Sequence, residues 1–201
     1  MQANADELQG FLEERERLWN DGDEQEVAAA ADALVRAPMT PEETGRLFAM
    51  PNDEYTHDPY SYYRYEPGLA VRREWPEHPD GFYVKRTNAM GLREDLDAPP
   101  DDLDLFVLVA GDSHTDGVCN NDESFANVLQ ALLAERHPDS AIEVWNTGVT
   151  GQSLYNYLGN LEKFLDRDPA VFVAAVYGGN DFLDLVRVWH FFQRTAPPAR
   201  R

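Results

Sequence analysis

The stretch FVLVAGDSHTDGVC, residues 106–119, decides how this chain is read. Phe106 to Ala110 are apolar or small without a polar break, the pattern of a strand buried on both faces rather than of a half-exposed hairpin strand. The run stops on Gly111, Asp112 and Ser113. A glycine there permits a tight bend, and a serine just beyond the strand end is set at a strand-to-helix turn.

Working outward, the same grammar repeats. Glu123 to Arg136 has helical periodicity, Ile142 to Trp145 is a short strand, Ser153 to Leu165 is helical, Val171 to Val176 is a second buried strand, and Phe182 to Phe192 is helical. Nearly all-apolar strands alternating with helices predict an α/β fold with a parallel sheet covered on both faces. In such sheets the functional groups gather beyond the carboxyl ends of the strands.

Three polar clusters occupy those ends: Gly111, Asp112 and Ser113 after the first strand, NTGVTGQS (146–153) after the second, and GGND (178–181) after the third. Acyl transfer needs a hydroxyl nucleophile and donors aimed at the oxygen that becomes negative in the tetrahedral intermediate. Ser113 supplies the hydroxyl and its own N–H. Gly151, with no side chain, lets a substrate approach its N–H, and the Asn180 amide offers a third donor. Asp112 and Asp181 are read as braces that accept backbone hydrogen bonds in their loops.

Before the sheet lies a different region. Ala5 to Trp19 and Glu24 to Ala37 have helical spacing, with Asn20 to Asp23 between them as turn and cap residues. Thr40, Pro41 and Glu43 form an N-cap, first-turn and capping-box signature. From His57 to Arg93 the chain is rich in tyrosine, arginine and turn residues, which predicts short strands packed through their aromatic rings. DLDAPPDDLD, residues 95–104, has the composition of a linker. The expected organisation is an N-terminal region over 1–98, helical to about residue 50 and with short strands over 57–93, followed by an α/β domain over 103–201.

Composition narrows the function. The 201-residue chain has a net charge of −20 and lacks the basic surface that would release counterions from a nucleic acid. Its first residues are acidic and interrupted by charge, unlike a secretory signal, and no run approaches membrane-spanning length. A cytoplasmic location is the default expectation. Cys119 is alone, so no intrachain disulfide is possible. No cofactor or metal is expected, and the oligomeric state is open.

GDSHT at 111–115, NTGVTG at 146–151 and GGND at 178–181, in this order and at strand ends, resemble the first three sequence blocks of the SGNH hydrolases, also called GDSL-type esterases and lipases. The likeness covers roughly residues 103–192, and TNAMGLRE at 87–94 is similar to the segment leading into the domain in some bacterial members. It implies a flavodoxin-like three-layer α/β/α fold and hydrolysis of esters or thioesters, and the expected partner is a small-molecule or carbohydrate ester substrate. Ser113 matches the nucleophile; Gly151 and Asn180 match the oxyanion donors.

The departure is at the fourth block, Asp-x-x-His, whose histidine takes the serine proton and whose aspartate orients it. None of His57, His78, His114, His137 and His190 has an aspartate three residues before it. Only three parallel strands are predicted where the family has about five, so the expectation is a domain incomplete at its C-terminal side, impaired in turnover, with a hydrophobic sheet edge exposed. A metallophosphoesterase reading of GDSHTDG fails because the sequence has no Asp-x-His and puts Thr115 and Asp181 where that pattern needs Asp and His. A phosphate-binding loop fails because the lysine and the glycine spacing are missing. O-acyl transfer to a carbohydrate, or non-catalytic binding, are the alternatives to hydrolysis.

Overall fold

A computed structural model describes residues 38–48, 52–95 and 102–192. The two N-terminal helical segments, most of the linker and the last nine residues read from the sequence lie outside these. Helix α1, Pro41–Phe48, begins where its caps dictate: the Glu43 N–H donates to Thr40 Oγ1 at 3.2 Å, and the Thr40 N–H to Glu43 Oε2 at 2.9 Å. These two bonds satisfy donors that the first helical turn leaves without partners.

Two antiparallel hairpins follow. In the first, β1 (Tyr55–Asp58) pairs with β2 (Tyr62–Tyr65); in the second, β3 (Ala70–Glu74) pairs with β4 (Phe82–Arg86). Asp58 closes the first turn by accepting from the Tyr60 and Ser61 N–H groups at 3.0 and 2.9 Å. Alternation along β2 sends side chains to both sides, yet Tyr62, Tyr63 and Tyr65 are all buried. They can be, because Phe48 of α1 packs on both Tyr62 and Tyr63, Phe192 packs on Tyr62, and the hydroxyls of Tyr63 and Tyr65 reach Thr150 and Asp116 of the α/β layer.

The α/β layer consists of β5 (Leu105–Gly111), the one-turn α2 (Ser113–Asp116), α3 (Phe125–Arg136), β6 (Ile142–Asn146), α4 (Leu154–Phe164), β7 (Val171–Ala175) and α5 (Asp181–Phe192). The three strands are parallel in the order β6-β5-β7. Residue parity assigns their faces. Val107, Val109 and Val144 pack with Ala126, Leu129 and Leu133 of α3. Phe106, Leu108 and Trp145 point the other way, against Leu161 and Phe164 of α4. Each such large apolar side chain removed from water contributes roughly 1.5–3 kcal/mol. This is a mixed α/β arrangement with helices on opposite faces of the central strand.

A third buried cluster ties the N-terminal elements to this layer: Met39, Leu47, Tyr62, Tyr63 and Tyr65 enclose Val149 and Val188 of α5. By contrast β7 is an edge strand with Val171 exposed, and α5 exposes Phe182, Leu183 and Val186. Among the described residues no helix is long and apolar enough to cross a membrane.

Candidate active site

The turn after β5 is built by its own aspartate. Asp112 caps α2 by accepting the His114 N–H at 2.9 Å, and its carboxylate is fully buried. Ser113 is exposed, and its hydroxyl reaches Asp112 Oδ2 only at 3.4 Å, beyond the usual range for an O–H···O bond. Gly111 is required for space rather than for conformation: its φ is not positive, but any Cβ would collide with the Thr115 hydroxyl and its Cβ.

The loop after β6 is fastened to that turn. Thr147 donates from both N and Oγ1 to the Val109 carbonyl at 2.8 and 2.9 Å, and the Val149 N–H donates to the Gly111 carbonyl at 3.2 Å. The Asn146 amide donates to the Thr115 carbonyl at 3.0 Å while its Oδ1 accepts from the Gly148 N–H at 2.9 Å. Gly148 lies so near the turn that a Cβ would sit 2.7 Å from the Asp116 nitrogen. Gly151 is exposed with φ +82°, a conformation that favours glycine, and among the described residues its N–H donates to no other group.

The third loop returns beside the first. Gly111 stands opposite Ala175 in the β5–β7 register, and the His114 ring lies against Tyr177 with centroids 4.1 Å apart. Asp181 Oδ2 accepts from the Tyr177 N–H and the Tyr157 hydroxyl, both at 2.8 Å. Burial raises the Asp181 pKa, and the nearby charges of Asp112 and Asp184 push in the same direction. The Tyr157 hydroxyl is raised by burial and by its bond to Asp181. The Asn180 amide donates to Asp184 Oδ2 at 3.1 Å, within its own helix start.

Three of the five histidines bond to or pack against other groups. His57 Nδ1 is 3.1 Å from Thr44 Oγ1, and His78 Nε2 is 3.0 Å from Glu123 Oε2. His190 stacks edge-on against Trp189 at 4.9 Å.

Sequence reasoning missed a buried polar cluster behind these loops. Asp116, the last residue of the serine turn, accepts from Lys85 Nζ at 2.6 Å, the Tyr65 hydroxyl at 2.8 Å, Arg93 Nη1 at 2.9 Å and Thr150 Oγ1 at 2.9 Å. Burial lowers the Lys85 pKa more than the Asp116 charge raises it, and burial holds the Tyr65 hydroxyl well above its usual range. Tyr63 adds a bond from its hydroxyl to the Thr150 carbonyl at 3.1 Å. The tyrosine-rich hairpin therefore reaches both loops with polar tips as well as apolar rings.

No curated protein matches the chain. The model of the family described as GDSL-like Lipase/Acylhydrolase matches residues 107–200, a stretch that begins in β5 and contains Ser113, Gly151 and Asn180. This match, over a little less than half of the chain, supports membership of the GDSL-like lipase/acylhydrolase family and, with it, a general lipase or acylhydrolase function.

Proposed function

We propose that this chain carries the site of a serine ester hydrolase on a flavodoxin-like three-layer α/β/α domain, with Ser113 as nucleophile. The observation that carries the reading is an exposed serine on a capped turn beside a loop whose Gly151 N–H has no partner among the described residues. Ser113 Oγ attacks the ester carbonyl carbon, and the carbonyl oxygen becomes negative. The N–H groups of Ser113 and Gly151 and the Asn180 amide stabilise that oxygen. The bond to the alcohol then breaks, the alcohol takes up a proton, and water hydrolyses the acyl-serine. Asp112 and Asp181 hold the loops rather than move protons.

A nucleophilic serine needs a base within hydrogen-bond reach. This sequence contains no Asp-x-x-His, and His57, His78 and His114 are engaged elsewhere. The chain is then expected to turn over poorly, if at all, on small-molecule or carbohydrate esters.

The test is labelling by an alkyl fluorophosphonate, read by intact mass. Ser113 Oγ bonds phosphorus, the P–F bond breaks, fluoride leaves with the electron pair, and the serine proton passes to water. One adduct, absent in Ser113→Ala, is the expected result. A folded chain that stays unlabelled, or a Ser113→Ala variant that labels equally, overturns the reading.

A further inference from the structure

We infer that Tyr63, on the N-terminal hairpin, is a positioning residue that aims the Gly151 N–H at the oxyanion; this rests on the proposed role of Gly151. The argument runs through one peptide unit. The C=O of Thr150 and the N–H of Gly151 belong to the same planar trans peptide, so they point in opposite directions and turn together. The Tyr63 hydroxyl donates to that C=O at 3.1 Å. Holding the carbonyl on one side fixes the direction of the N–H on the other.

The hydroxyl is itself well anchored. Tyr63 is buried, its ring packs on Phe48 at 4.7 Å and on Tyr55 at 6.0 Å, and its main-chain carbonyl accepts from the Gln152 amide at 2.8 Å. The hairpin thus grips the Thr150–Gln152 loop from two sides. Burial, together with nearby acidic groups, keeps the phenol protonated and able to donate. On the Gly151 side the room is limited as well: a Cβ there would lie 3.2 Å from the Tyr63 oxygen. The other restraints on Thr150 act on different atoms. Thr150 Oγ1 donates to Asp116 Oδ2 at 2.9 Å, and the Thr150 N–H reaches the Tyr65 hydroxyl at 3.4 Å. These fix where the residue sits. Among the described residues Tyr63 is the group that bonds the carbonyl and so fixes the rotation of the peptide plane that carries the donor.

The experiment uses the full chain and the fluorophosphonate, whose P=O oxygen draws on the same donors. Inactivation is followed over a range of probe concentrations for the wild type, Tyr63→Phe, Tyr60→Phe and Ser113→Ala. Removing an oxyanion donor outright costs about 10²–10³-fold, so misaiming one is expected to cost about tenfold. For Tyr63→Phe the loss is expected in the limiting inactivation rate, with the half-saturating probe concentration unchanged. Amide exchange should rise over residues 150–152 and stay as in the wild type over β5. Tyr60, exposed at the hairpin turn, is the control and should label like the wild type. Replacing Tyr63 by 4-fluorophenylalanine, a second donor-free ring, should give the same loss should the phenylalanine variant fold poorly. 4-Aminophenylalanine, which keeps a donor, should restore the rate. Tyr63→Phe labelling at the wild-type rate overturns the inference alone. A folded wild type that does not label, or Ser113→Ala that does, overturns the function and the inference together.

Discussion

Lys85 Nζ lies 2.6 Å from Asp116 Oδ2, and the two side chains are only 6% and 4% exposed. Arg93, wholly buried, binds the other carboxylate oxygen at 2.9 Å. Two cations thus share one anion in a low-dielectric space, so the partners are not equivalent.

Asp116→Asn should therefore destabilise more than Lys85→Met. The first leaves two buried cations facing each other, at a cost of about 3–5 kcal/mol; the second leaves the Asp116–Arg93 pair intact and should cost less. The pH dependence has a definite sign. Without Asp116, Lys85 has a folded-state pKa still further below its unfolded value, so the unfolded state binds more protons and stability should rise with pH. Urea unfolding of both variants from pH 6 to 9 checks this. The reverse order, or a fall with pH in the stability of Asp116→Asn relative to the wild type, a difference in which the contribution of Glu94 cancels, contradicts the account.

Asn180→Ala separates an oxyanion donor from a structural amide. The Asn180 side chain is half-buried and, among the described residues, bonds to the neighbouring Asp181 and Asp184 carboxylates, at 3.5 and 3.1 Å. Its removal should change stability by no more than about 0.5 kcal/mol, as for other substitutions outside a core. It should slow fluorophosphonate labelling roughly a hundredfold. A full rate with unchanged stability would remove Asn180 from the site.

The strands and helices of the α/β layer were legible because each carried its own signal. β5 is apolar throughout, and the two later strands are short, mostly apolar runs ended by asparagine or glycine clusters; outside that layer, α1 announces itself by its capping box. Parallel strands also put Gly111, Asn146 and Ala175 at the same end, which made one rim legible from three separate motifs. The role of the hairpins was not legible. Tyr63 meets Thr150 across 87 positions and Lys85 meets Asp116 across 31, with no local spacing that announces either contact. A tyrosine bound for a core and a tyrosine bound for a carbonyl look alike in sequence. The signal that was present, one of two lysines amid tyrosines, becomes a signal only when its buried acid is known.

Two glycines should respond oppositely to alanine. A Cβ on Gly148 would sit 2.7–2.8 Å from the backbone of Asp116 and Thr115, which cannot move without displacing the serine turn. Gly148→Ala should cost about 1–3 kcal/mol, in the manner of overpacked cores, and should slow labelling of Ser113. Gly45, inside α1, has nothing within 4 Å of its Cβ position. Gly45→Ala should stabilise by about 0.5–1 kcal/mol through helix propensity. Chemical denaturation measures both, and equal effects would refute the packing argument.

Glu94 should make the protein less stable as pH rises. Its carboxyl accepts from the Asn146 N–H at 2.6 Å, at the end of β6. Burial dominates that bond, and Glu143 and Asp95 add repulsion, so its pKa is pushed from 4.5 up to about 8. The folded state therefore keeps a proton that the unfolded chain has released. Below pH 4.5 both states hold it and Glu94 exerts no penalty. Between pH 4.5 and about 8 the penalty grows, and above the folded pKa it is constant. Glu94→Gln keeps an oxygen to accept from Asn146 and cannot ionise. Relative to the wild type it should be nearly neutral at pH 4.5, increasingly stabilising to pH 8, and level beyond. Differences between the two proteins cancel the contributions of the other acids, so urea midpoints at pH 4.5, 6, 8 and 9 suffice. A difference that stays flat across this range would mean that Glu94 is ionised in the folded protein, with its charge satisfied by the Asn146 N–H and Arg93.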